Sequence, residues 1–126
     1  MLVQRSPHEA YRRVDFDARI AGADPRQLVV LCHEQLAAAL GTAIHAASRG
    51  DNARKSQALT RALAALTALQ MGIDHAMPIA AALTAFFDAA RRTVLDNVIA
   101  FDPRAMQRLR GDVTDIAAAF ARTSHG

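Results

Sequence analysis

The chain has 126 residues, of which 52% are apolar and 21% charged, with a net charge of +3 at pH 7. That balance excludes a disordered chain, and the excess of alanine and leucine over β-branched and aromatic residues excludes an all-β fold. No apolar run reaches the roughly 18 residues of a spanning helix, and Met1–Pro7 lacks a basic patch followed by an apolar core, so a cytoplasmic protein without membrane insertion is expected.

The first 23 residues read as a separate segment. Ser6-Pro7-His8-Glu9 has the pattern of a capping box and predicts a short helix through Arg13, and Gly22 separates it from the rest of the chain. Tyr11, Val14, Phe16 and Ile20 are apolar residues on a piece too short to bury them. They require a surface, either the chain's own or another molecule's.

Residues 24–126 read as one bundle domain. Asp24-Pro25 and Asp102-Pro103 each place a capping aspartate before a proline at the first helical position, and Gly50-Asp51 ends one helix and caps the next. Pro78 marks a further start. The predicted helices span 25–48, 52–74, 78–101 and 103–122. Their apolar stripes are Leu28, Leu31, Cys32, Leu36, Ala39, Ala43 and Ala47; then Leu59, Ala62, Leu63, Leu66, Leu69 and Ile73. The third stripe holds Ile79, Leu83, Phe86, Phe87, Ala90, Val94 and Val98, and the fourth Met106, Leu109, Val113, Ile116, Ala117 and Phe120. Four helices of this length on short connections predict an all-α antiparallel four-helix bundle. Gly41, Gly72 and Gly111 mark either close helix approach or local breaks.

Residues for chemistry are sparse. A carboxylate-bridged dimetal centre in a bundle needs Glu-x-x-His on two helices, whereas Glu9 and Glu34 are the only glutamates and neither is followed by that histidine. No two histidines have the spacing that binds zinc on a helix, so no metal site and no cofactor are expected. His33 is read as solvated or hydrogen-bonded. The serines lack a glycine elbow, no phosphate-binding glycine loop occurs, and Cys32 falls on a buried stripe. No catalytic residue is therefore assigned and the protein is not read as an enzyme. Arginines 12, 13, 91, 92, 104, 108 and 110 form basic groups, but no recognition helix or stacking aromatics accompany them, which argues against nucleic acid.

What remains is apolar surface beyond one bundle seam. Val29, Val30 and Leu40 lie off the first stripe, and Leu95 and Ile99 flank the third. They predict either outward grooves or packing under the N-terminal segment or in a homodimer contact.

Several stretches, in order, resemble the FliS family of flagellin export chaperones. Tyr11-Arg12-Arg13-Val14 and Ala23-Asp24-Pro25-Arg26-Gln27-Leu28 resemble its N-terminal tyrosine and its Ala-Ser-Pro-x-x-Leu helix opening. Gly50-Asp51 looks like its turn between the first long helices, Leu69 with Ile73-Asp74 like its Leu-x-x-x-Leu-Asp ending, and Phe86-Phe87 stands where it has Leu-Tyr. Asn97 stands where it has Ala-Asn, and Asp102 opens the last helix. Asp24 in place of serine keeps the capping chemistry, whereas His33-Glu34-Gln35 in place of Tyr-Asp-Gly is expected to alter one exposed turn. The resemblance implies a cytosolic chaperone that holds the C-terminal segment of flagellin, prevents premature polymerisation and delivers it to the type III export gate. It further implies a removable N-terminal cap bearing Tyr11, Val14 and Phe16. Together with the apolar positions Leu28, Leu31 and Leu95 and with Asn97, these are the candidate flagellin-binding or groove-capping residues. The alternative reading is a helical adaptor or dimerisation module for another protein or an acidic partner.

Overall fold

The computed structural model describes residues 24–123, which form four helices: α1 (Pro25–Ser48), α2 (Asn52–Met71), α3 (Ala80–Ile99) and α4 (Pro103–Thr123). No strand occurs among the described residues. The predicted N-terminal helix and cap segment lie outside them.

Local chemistry sets the helix ends. At the start of α1 the Gln27 N–H donates to Asp24 Oδ1 at 2.8 Å and the Asp24 N–H donates to Gln27 Oε1 at 3.1 Å, a complete capping box ahead of Pro25. Gly50, with φ at +71°, makes the turn that an L-residue would strain, and Asp51 then accepts from the Arg54 N–H at the head of α2. Two predicted boundaries shift. α2 stops at Met71 rather than 74, because Gly72 closes it, and Asp74 accepts the Ala76 N–H in the next turn. α3 begins at Ala80 rather than Pro78 and ends at Ile99 rather than 101, since Ala100 is already extended ahead of Asp102-Pro103. The connection between α2 and α3 is accordingly longer than predicted, and Ile79 and Val98, assigned to the third stripe, are exposed.

The helices close a ring in which α1 packs on α2 and α4, α2 on α3, and α3 on α4. Short turns join α1 to α2 and α3 to α4, and the Lys55 ammonium at the head of α2 lies 5.6 Å from the centre of the Phe101 ring. Both turns therefore sit at one end, as an up-down topology requires. The core runs through Leu36, Leu40, Leu59, Leu66, Phe87, Val94, Met106 and Val113. Leu63 and Ile116 are part-buried, in keeping with the predicted helix phase.

α1 is the central helix. By length and apolar composition it would suffice to cross a membrane, contrary to the expectation that no such segment exists. In the fold its apolar sides lie against α2 and α4. Leu40, expected off the stripe in an outward groove or a covered contact, is fully buried in the bundle core. Two flanking helices cover a wider arc of α1 than the single stripe its periodicity predicts. Gly41 lies under the Arg110 guanidinium of α4, whose Cζ would stand 3.0 Å from an added Cβ, so this glycine marks a close approach. Gly111 has open space around its Cα and marks none.

Candidate functional site

The seam between α3 and α4 is the most thinly packed in the ring, and a groove of about 270 Å³ opens there. α3 contributes Phe86, Ala90 and Thr93, and α4 contributes Ala105 and Leu109. Ala89, Arg108 and Asp112 also border the groove. Small side chains on both helices keep the groove open, because neither can reach across to fill it. An apolar floor with charges of both signs at the edge suits an amphipathic segment of another polypeptide.

Beneath the groove runs a row of rings. Phe86 meets Phe87 edge-on with centroids 5.6 Å apart, Phe87 lies 5.6 Å from His33, and His33 lies 5.5 Å from Phe120 of α4. His33 is completely buried, whereas Glu34 is exposed and Gln35 part-buried, so of the turn expected to be exposed at 33–35 it is His33 that turns inward. Its Nδ1 lies 2.8 Å from the Val29 carbonyl and must donate to it, because a carbonyl only accepts. The neutral ring therefore turns a bare Nε2 into the core, where it has no hydrogen-bond partner.

Burial lowers the His33 pKa from its ordinary 6.5, partly offset by the bond to Val29. Above that ordinary value the ring is neutral in both folded and unfolded chains and contributes no slope. As pH falls below 6.5 the unfolded chain takes up a proton that the folded one resists, so stability is lost, approaching about 1.4 kcal/mol per pH unit. Denaturation midpoints measured from pH 8 down to 5 should fall below pH 6.5 in the native protein. The part of that slope owed to this ring should vanish in His33→Leu, and identical profiles for the two proteins would refute the assignment.

The other sequence-predicted residues fall in different places. Leu28 is part-buried, Leu31 is buried, and Leu95 is exposed on α3 away from the groove. Asn97 is buried at 3% exposure; its Nδ2 donates to the Thr93 carbonyl at 2.8 Å and its Oδ1 accepts the Asp102 N–H. The geometry thus makes Asn97 the staple of the α3–α4 turn at one end of the groove. Cys32 is part-buried and burial raises its thiol pKa, which makes it a poor nucleophile. Tyr11, Val14 and Phe16 lie outside the described residues. Sequence alone does not single out Ala90, Ala105 and Leu109 as site residues, because a groove between helices is made by what two helices lack. A run of small residues facing another such run is the available signal.

No cluster of three or more His, Cys, Asp or Glu side chains suited to a metal occurs among the described residues. Bundle and groove define a class: an all-α helical-bundle protein with a small open cleft between two of its helices. Within it, the chain belongs to the FliS family, whose family model, described as "Flagellar protein FliS", matches residues 7–125. It is similar to the flagellar secretion chaperone FliS of Salmonella typhimurium strain LT2, with 27% identity over 119 residues that span 92% of this chain and 88% of that protein.

Proposed function

We propose that this protein is a cytoplasmic flagellar secretion chaperone that binds the C-terminal helical segment of flagellin, keeps it from polymerising and hands it to the type III export gate. The observation that carries this reading is the open, apolar-floored groove between α3 and α4 in a chain of this family. A segment that is disordered when free can fold on such a surface, trading its exposed apolar side chains for burial without any reaction chemistry. The N-terminal residues Tyr11, Val14 and Phe16 serve as a displaceable cover, and part-buried Leu28 with exposed Leu95 supplies further apolar surface, whereas Leu31 is held in the core.

Calorimetry with flagellin tests the reading. Full-length flagellin should bind and flagellin lacking its C-terminal segment should not. Ala89 is exposed and borders the groove, so Ala89→Trp should block the cleft while leaving the helical signal intact. That variant should weaken binding by about tenfold or more. Unchanged affinity would move the client off this groove, and equal binding of the truncated flagellin would remove the C-terminal segment as the client.

A further inference from the structure

The end of the bundle that holds both short turns differs from the other in charge. α1 finishes there at Arg49, α2 starts with Arg54 and Lys55, and α4 starts with Arg104, with Arg108 one turn on. The four arginines are exposed, and the part-buried Lys55 holds its ammonium 5.6 Å from the centre of the Phe101 ring in the facing turn. Side chains on a helix lean toward its N-terminus, so the cations at the heads of α2 and α4 project over this end. Of the carboxylates beside them, Asp51 accepts the Arg54 N–H and Asp102 the N–H groups of Arg104 and Ala105, so both neutralise positive helix heads. Asp96 is the third. At the opposite end the charges of the described residues balance, with Arg26 and Arg122 against Asp24 and Asp74.

Apolar surface stands beside these cations. Val98 is 55% exposed and Ile99 89%, Leu95 one turn earlier is 46% exposed, and the extended Ala100 is exposed as well. Val98, Ile99 and Ala100 are consecutive, and successive residues of a helix diverge by about 100°, so one partner helix cannot cover them all. A fluid interface can, because it conforms to whatever projects into it. Cations around a short apolar prominence are the combination that binds an anionic bilayer surface: guanidinium groups meet the phosphates while aliphatic side chains enter the headgroup boundary. We propose that this end of the bundle docks on anionic phospholipid, with Val98 and Ile99 seated among the headgroups and Arg49, Arg54, Lys55, Arg104 and Arg108 on their phosphates. The contact is peripheral and uses no spanning helix. Docking engages the end of the bundle and the groove lies along its side, with only Arg108 bordering both, so lipid binding does not depend on which client the groove holds.

Sedimentation of the full chain with vesicles tests this. Vesicles of phosphatidylcholine mixed with phosphatidylglycerol should carry the native protein down, and vesicles of phosphatidylcholine alone should not. Arg54→Glu and Arg104→Glu should each weaken binding by about tenfold or more, and both should fold, because an acid in the first turn suits a helix. Arg122→Glu makes the same change of net charge at the opposite end and should leave binding nearly unchanged. Ile99→Ser should weaken binding by about tenfold with an unaltered helical signal. The chain has no tryptophan, so Ile99→Trp supplies a single fluorophore whose emission should shift to the blue on the anionic vesicles. Equal losses in Arg104→Glu and Arg122→Glu would reduce the effect to net charge and overturn the proposal. An unshifted emission would overturn it too, as would a native protein that stays in the supernatant. Binding of duplex DNA that is lost in Arg104→Glu, with no vesicle binding, would assign this end to nucleic acid instead.

Discussion

Leu40→Ala should lower stability by about 3 kcal/mol, because the side chain is fully buried and its removal leaves a cavity that close packing cannot collapse. In a chain of this size that is a fall in melting temperature of about 10 °C or more. α1 packs on both α2 and α4, so relaxation of one helix cannot fill the void. Met71→Ala supplies the contrast: at 82% exposure it should change stability by no more than about 0.5 kcal/mol. Thermal unfolding of the two variants against the native protein measures both. A mild effect at Leu40 would mean that α1 is packed on one side only, and the ring of four helices would be wrong.

Asn97→Ala should be the second most damaging change, at about 2 kcal/mol. The substitution removes the acceptor for the Asp102 N–H and the donor to the Thr93 carbonyl together. Asp102 would still cap α4, since its Oδ1 accepts from the Arg104 N–H at 3.0 Å and the Ala105 N–H at 3.3 Å. The helices should therefore persist while the turn between them loosens. Amide exchange at Asp102 should accelerate well beyond that of the α4 interior, and the denaturation midpoint should fall. A variant that keeps native stability and slow exchange but loses flagellin would make Asn97 a client contact after all.

Some features are legible in the sequence and others are hidden for physical reasons. Caps are local, so Asp24-Pro25, Gly50-Asp51 and Asp102-Pro103 locate helix starts from a few residues each. Periodicity is also local, and it identifies which face of α2 and α4 is buried, as Leu66 and Val113 show. It overruns at Ile79, which precedes α3, and at Val98 in its last turn, because an apolar residue can keep the period at a position that no partner covers. Leu40 departs from its expected place because the arc a helix buries depends on how many partners flank it. His33 reads as polar surface or a paired ring in sequence, and two phenylalanines distant along the chain enclose it. The groove is least legible of all, since it arises from the spacing of α3 and α4 and from alanines that carry no signature alone.

The groove is short. Phe86 to Thr93 covers about 10 Å along α3, so it seats roughly two turns of a guest helix and two anchors spaced one turn apart. A grip of that size is weak by itself. A guest many times longer would have to be held by several such footholds, each let go without waiting for the others. Under the proposed function, several such footholds would divide one high barrier to release into a series of low ones, so that a client could be drawn off from one end while the rest stays sheltered.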